Sequence, residues 1–160
     1  MEKRELVIIG SGPAGMTAAV YGKRAGIDLV VLEKGQPGGQ ILITNEVENW
    51  PGTIDTTGQA LADSFRVHAE HLGAEIRRTT VQGIVPGDKT HVVKTSDGDI
   101  EAQSIIVATG ASFRRLGCPG EAELTGAGVS YCAVCDGAFF TDVEVAVIGV
   151  ATPPWKKPNT

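Results

Sequence analysis

Leu6-Val7-Ile8-Ile9-Gly10-Ser11-Gly12-Pro13-Ala14-Gly15 is the stretch on which the fold turns. Four consecutive apolar residues read as a parallel strand buried on both faces. The Gly-x-Gly-x-x-Gly that follows is a weak signal alone, but here it joins a strand to a helix. Gly10 permits the tight turn, Gly12 lets the backbone approach a pyrophosphate, and Gly15 permits close helix–strand packing. Pro13 suits a first helical turn, Ala14 to Arg24 contains good helix formers and small packing residues, and Gly26 ends the helix. Leu29-Val30-Val31-Leu32 is a second buried strand, and Glu33 at its tip stands 18 residues beyond Gly15. A strand–helix–strand unit of about 30 residues is the size of a parallel crossover. An acid in that position accepts hydrogen bonds from a ribose hydroxyl, and the helix N-terminus attracts phosphates. The stretch implies an α/β fold and a bound dinucleotide.

Outward from this unit the pattern changes several times. Gly35 to Thr57 reads as a long loop, of the length that in compact domains is functional or disordered. Gly58 to Gly73 reads as an amphipathic helix with Leu61, Phe65 and Leu72 on one side. Ala74–Arg78 and Thr80–Val85 read as strands. Turns at Asp88-Lys89 and Ser96–Asp99 flank His91–Thr95, which predicts a small antiparallel meander. Ser104–Ala108 reads as another buried strand, ending in Thr109-Gly110. After Gly117-Cys118-Pro119-Gly120 come a polar linker and a cysteine pair. Val143–Ile148, with Gly149, reads as the start of a second nucleotide-binding unit. The expected division is a Rossmann-like domain over 1–115, with a parallel sheet and an antiparallel β-meander, left incomplete. The start of a second Rossmann-like domain follows over 116–149, then an aberrant tail over 150–160.

The 160 residues leave room for one domain, or one and part of another. A net charge of −5, with Lys and Arg scattered, argues against a nucleic-acid surface. Met1-Glu2-Lys3-Arg4-Glu5 precedes an apolar run too short for a signal peptide. No stretch approaches the roughly 20 apolar residues of a membrane span. The expectation is a cytoplasmic protein that binds neither nucleic acid nor membrane. In that reducing compartment three cysteines do not build a structural disulfide framework.

Cys132-Ala133-Val134-Cys135-Asp136 is the second chemical feature. A structural zinc site wants four ligands, usually a second such pair or a matching His pair. There is no second pair, and His68, His71 and His91 precede the cysteines without finger-like spacing. A redox dithiol needs only two sulfurs, one of which resolves a mixed disulfide on the other. Inert thiols are the remaining reading. We prefer the redox pair and no metal, with Asp136 as proton donor to a reduced cofactor or a leaving thiolate. Cys118 reads as an unpaired thiol, and His68 and His71 as surface residues of a helix.

Gly10–Gly15, Gly38-Gly39-Gln40, Glu46–Gly52, Ala108–Ala111 and Cys132–Gly137 together resemble the low-molecular-weight thioredoxin reductases, in register from about Leu6 to Gly149. These are FAD-dependent pyridine nucleotide-disulfide oxidoreductases. The resemblance implies a thioredoxin-disulfide reductase, in which electrons pass from NADPH through FAD to the dithiol and on to a thioredoxin-like disulfide protein, in a homodimer. By motif position Gly10, Ser11, Gly12, Pro13, Ala14 and Gly15 would hold the FAD pyrophosphate, and Glu33 its adenosine ribose. Lys34, Gly35, Gln36, Pro37, Gly38, Gly39 and Gln40 would wrap the cofactor. Asn45 and Asn49 would lie near the flavin, Val81 would reach the adenine, and Ala108, Thr109 and Gly110 would line the same pocket. Cys135 would be the flavin-side sulfur, Cys132 the sulfur that attacks the partner disulfide, and Asp136 the acid. Dithiol oxidases and the flavoproteins of peroxide-reducing systems share this core. Ferredoxin-NADP reductases of similar fold lack the cysteine pair.

After Gly149 that family continues with further glycines and a helix, and later returns to complete its FAD domain. Here the last eight residues contain three prolines, which such a helix does not tolerate. Back-translated with one G restored before the Val150 codon, the neighbouring frame forces Gly first and Glu seventh. It admits Gly-Gly-Asp-Thr-Ala-Val-Glu-Glu-Ala-Lys-Tyr, the family's NADPH fingerprint. The expectation is a frameshifted tail, an NADPH site absent or broken in this chain, and little turnover from the chain as written. A non-catalytic FAD-binding fragment is the alternative.

Overall fold

Alternation along the strands decides which elements cover which face. The structure is a computed structural model that describes residues 1–149, apart from the side chains of residues 134, 135 and 138. The tail expected over 150–160 lies outside the described residues. The chain divides into two compact units, Met1–Ser112 and a second beginning at Phe113.

The first unit holds β1 (Glu2–Ile9), α1 (Pro13–Arg24), β2 (Leu29–Glu33), α2 (Gly58–His71), β3 (Glu75–Arg78), β4 (Val81–Val85), β5 (His91–Thr95) and β6 (Ile100–Val107). Its strands form one sheet in the order β3-β2-β1-β6-β5-β4. β1 runs parallel to β2 and β6, and β2 parallel to β3. β5 is antiparallel to both β4 and β6, which makes the meander. Leu6, Ile8, Leu29 and Val31 pack with Met16 and Ala19 of α1, Ala69 of α2, and Ala74. Their neighbours Val7, Ile9, Val30 and Leu32 pack with Val93, Ile100 and Ala102 of the meander. Helices on one face and meander on the other explain why β1 and β2 read as unbroken apolar runs. Each of the Val, Leu, Ile and Met side chains among them contributes about 1.5–3 kcal/mol by leaving water.

Four departures from the sequence reading have physical causes. β1 starts at Glu2, not Leu6, because its polar half is held by ions rather than by packing. Arg77 Nη1 donates to Glu2 Oε2 at 2.6 Å, and Arg4 donates to Glu75 Oε2 at 2.6 Å and to Asp28 Oδ1 at 2.9 Å. The Arg77 and Arg4 guanidinium groups pull the Glu2 carboxyl down to about 2. The expected loop over Gly35–Thr57 contains a 3-10 turn, Gly39–Ile43, and a bridge between Val47 and Thr56. The Trp50 ring stands edge-on to Phe65, centroids 5.2 Å apart.

The strand expected to be buried over Ser104–Ala108 is exposed at Ile106 and Val107. β5 pairs only with Ile100–Ala102 of β6, so among the described residues the rest of β6 is bonded to β1 alone. Val143–Ile148 forms no strand, and Val143, Val145, Val147 and Ile148 are exposed. A parallel strand needs neighbours to pair with, and this segment has none among the described residues. The second unit contains a short helix, α3 (Ala133–Asp136), a 3-10 turn over Gly137–Phe140 and a bridge between Thr125 and Val129.

Candidate functional site

The carboxyl ends of β1, β2 and β6 are tied together by backbone bonds. Gly10 N donates to Leu32 O and Ala108 N donates to Ile9 O, each at 2.8 Å. The glycines of the turn then divide into two kinds. A Cβ on Gly10, whose φ is +101°, would lie 2.4 Å from the Ala108 carbonyl oxygen, and one on Gly15 would lie 1.9 Å from Gly10 O. These two are required by the protein's own backbone. A Cβ on Gly12 would meet nothing nearer than Gly38 O and Gly39 Cα, both at 3.9 Å. A side chain at Gly12 would thus be in ordinary contact with the Gly38-Gly39 loop, and the protein's own backbone does not demand glycine there. It is also the N-cap of α1, with no side-chain cap and no acidic residue in the first turn. The positive end of the helix is left for an anion from outside. Gly38 N donates to Ser11 O at 3.1 Å, which brings the Gly35–Gly39 loop against this turn.

Glu33 is the hinge between the two loops. Its Oε2 accepts from Ser11 N at 2.9 Å and Ser11 Oγ at 2.7 Å, while Oε1 accepts from Gly35 N at 2.9 Å. Burial pushes the Glu33 carboxyl up, but bonds from Gly35, Ser11 and Lys34 outweigh it and hold it below the usual carboxylate range. A carboxylate has about four acceptor positions, and these four donors occupy them, so a ribose hydroxyl would share or displace one. Beside it lies a pocket of about 480 Å³ lined by Glu33, Gly35, Gln36, Pro37, Ile76 and Arg78.

The remaining expected residues of the first unit are spread more widely. Thr79 N donates to Glu33 O at 2.8 Å, which starts β4 and its Val81 close to the β2 tip. Val81 packs against the second apolar cluster. The Gln40 amide donates to the Ala111 carbonyl, and Gln36 donates to Gln59 at 3.0 Å. Lys34, Asn45, Asn49, Thr109 and Gly110 are exposed. Gly10–Gly15, Glu33, Gly35–Gly39 and Ala108 are thus gathered at one end of the sheet, while Asn45 and Asn49 lie on the loop surface.

In the second unit Cys132 is disulfide-bonded and Cys118 is an exposed free thiol. The side chain of Cys135 lies outside the described residues. Ser130 Oγ accepts from Cys132 N at 3.1 Å and donates to Asp136 Oδ2 at 2.5 Å. Asp136 N in turn donates to Cys132 O at 3.0 Å. One hydroxyl therefore holds both the first cysteine's backbone and the candidate acid. Among the described residues no cluster of three or more His, Cys, Asp or Glu could hold a metal ion.

The pyridine nucleotide-disulphide oxidoreductase family matches residues 4–151. The chain belongs to the pyridine nucleotide-disulphide oxidoreductase family. Thioredoxin reductase of Bacillus subtilis (strain 168) is 46% identical over 145 residues, covering 91% of this chain and 46% of that protein. Thioredoxin reductase of Peptoclostridium litorale is 49% identical over 146 residues, with the same two coverages. The crystal structure of thioredoxin reductase from Streptococcus pyogenes MGAS5005 is similar with a TM-score of 0.82 at 46% identity, over 86% of this chain and 45% of that one. This member of the oxidoreductase family spans about half the length of the curated relatives it matches.

Two residues placed around Cys132 escaped the sequence reading. Ser130 had a weak signal: a serine hydroxyl readily accepts from the N–H two residues on, here that of Cys132, in an ST-turn. Glu121, buried and bonded to Tyr131 (2.6 Å), had none, because its partners lie up to ten residues away along an irregular chain.

Proposed function

We propose that the chain carries the FAD-binding unit, 1–115, and the beginning of the NADPH and redox-dithiol unit, 116–149, of a thioredoxin-disulfide reductase. Residues 150–160 stand outside both. The overall reaction moves two electrons and a proton from NADPH, with one further proton, to a thioredoxin-like disulfide, which leaves as a dithiol. The carrying observation is Gly12 as the N-cap of α1, with no side-chain cap and no acid in the first turn, at the same strand ends as Glu33. A disulfide at Cys132 in the same chain supports the rest.

FAD, when bound, would supply the two-electron relay between nicotinamide and disulfide. The chain's own residues do the holding. The first-turn N–H groups of α1 bind the diphosphate, and the Gly12 backbone lets it approach. Glu33 keeps Ser11 and Gly35 in place, and a ribose hydroxyl binds it by sharing or displacing one of those donors. Ala108, Thr109 and Gly110 line the cofactor pocket, Gln40 helps close it, and Asn45, Asn49 and Val81 contact the cofactor further along. In the reduced pair Cys132 attacks the partner's disulfide, Cys135 resolves the mixed disulfide, and Asp136 gives its proton to the leaving thiolate. A soluble cytoplasmic homodimer is the setting this reading implies. Among the described residues no helix is long and apolar enough to cross a membrane.

The test is anaerobic photoreduction of the FAD-loaded chain, followed by thiol alkylation and mass measurement. The proposal expects two alkylated cysteines to appear in addition to Cys118 once the flavin has bleached. A flavin that binds and bleaches while the disulfide stays closed identifies a binding fragment without dithiol chemistry.

A further inference from the structure

Glu121 is a buried carboxylate, 7% exposed, that the reaction above does not use. Its Oε2 accepts from Gly117 N at 2.6 Å, and its Oε1 from Leu116 N at 2.9 Å and from the Tyr131 hydroxyl at 2.6 Å. Its carbonyl oxygen accepts from Thr125 Oγ1 at 2.7 Å, and its N–H donates to Cys118 O at 3.3 Å. The Tyr131 ring also stacks on Phe113, centroids 5.0 Å apart and planes 10° apart. Taking a carboxylate out of water has a cost that its hydrogen bonds must offset. An apolar side chain would fill such a site at less cost. What the carboxylate adds is direction, because three donors converge on two oxygens.

Tyr131 is covalently next to Cys132, whose N–H is held from the other side by Ser130. We propose that Glu121 is a positioning residue for the dithiol: through the Tyr131 hydroxyl it fixes the backbone that carries Cys132, and so sets how readily the disulfide closes. Disulfide geometry is narrow. A Cys132 whose backbone is held keeps its sulfur within reach of the second one after reduction, which raises the effective concentration for closure. Release of the clamp lets the reduced segment spread and favours the dithiol.

The proposal rests on Cys132 and Cys135 being a redox pair. It is tested on the full chain, without FAD, in buffers of varied reduced-to-oxidised dithiothreitol ratio, followed by alkylation and mass measurement. A dithiothreitol thiolate attacks one protein sulfur, the protein S–S bond breaks, and the second dithiothreitol thiol displaces the mixed disulfide. Two electrons and two protons end on the protein thiols, and dithiothreitol closes to its cyclic disulfide. Cys118 adds one constant alkyl group throughout. Tyr131→Phe deletes only the hydroxyl and keeps the stack on Phe113. Glu121→Gln keeps the shape but turns an N–H₂ toward a donor.

Each variant is expected to shift the equilibrium about fivefold toward the dithiol, which is about 20 mV for a two-electron couple. The double variant is expected to shift it by less than the sum of the two, since one shared bond carries the effect. An unchanged equilibrium in Tyr131→Phe, with only a lowered unfolding temperature, overturns the proposal and leaves Glu121 a structural residue. If Glu121→Gln does not fold, Tyr131→Phe alone decides. A wild-type disulfide that no dithiothreitol ratio reduces would instead sink the redox reading itself.

Discussion

The two units are held together by different means. In the first, two apolar clusters sandwich β1 and β2, and the Gly10–Gly15 turn inherits its shape from strands far apart in sequence. In the second, the apolar residues Phe139, Val143, Val145, Val147 and Ile148 are exposed, Val147 at 90%. Order there comes from the Glu121 carboxylate, the Phe113–Tyr131 stack, the Ser130 hydroxyl and the disulfide at Cys132. Packing is close to all-or-none and suits a rigid cradle. A few polar links within 113–136 suit a segment whose covalent state changes. The same kind of substitution should therefore have very different effects in the two units.

The sharpest contrast is steric. Gly15→Ala puts a Cβ 1.9 Å from the Gly10 carbonyl oxygen, and the turn has to break to admit it. A loss of about 4 kcal/mol or more in urea unfolding is expected. A loss below about 1 kcal/mol would show that the turn yields, and would remove the claim that packing dictates its shape. Next comes truncation of apolar side chains. Leu29→Ala, in the buried cluster, should cost about 3 kcal/mol, while Val147→Ala should stay within about 0.5 kcal/mol. Comparable losses at the two sites would mean that the second unit has an apolar core after all.

Charge gives the smallest effect. The Glu2 carboxyl is held down by Arg77 and Arg4, from an ordinary 4.5 to about 2. A lowered folded value means that the stabilisation is fully present above pH 4.5 and is lost as pH falls toward about 2. Glu2→Gln should therefore lower the unfolding temperature at neutral pH, by the equivalent of about 1 kcal/mol or less for so exposed a pair. The gap from wild type should close in acid. A gap that stays constant down to the acid limit would show that the side chain matters by shape and not by charge.

How much of this was legible depended on how local the cause was. The β1–α1–β2 unit could be read because both faces of each strand are buried, so the signal lies within four residues. Glu2–Glu5 could not, since its order comes from Arg77 and Glu75, more than seventy positions away. Glu33 was readable as an acid at the tip of β2. Its bonds to Ser11 and Gly35 were not, because they depend on two loops meeting. The exposure of Ile106 and Val107 was hidden for a similar reason: their composition is that of a core strand, while burial depends on what lies beside them. The cysteine pair was legible from spacing as a candidate dithiol. The carboxylate behind it was not, because nothing in an irregular segment marks which acid is buried.

The central claim is that the Gly12 turn at the start of α1 receives the diphosphate of FAD, and quenching of FAD fluorescence on titration with the chain tests it most directly. Wild type is expected to show saturable quenching with a Kd below about 1 mM. Gly12→Ala adds a methyl that meets only ordinary contacts at 3.9 Å, so it should fold normally and bind at least about tenfold more weakly, a difference of about 1.4 kcal/mol. Equal affinity in the two folded proteins, or no saturable quenching in wild type, would contradict the account.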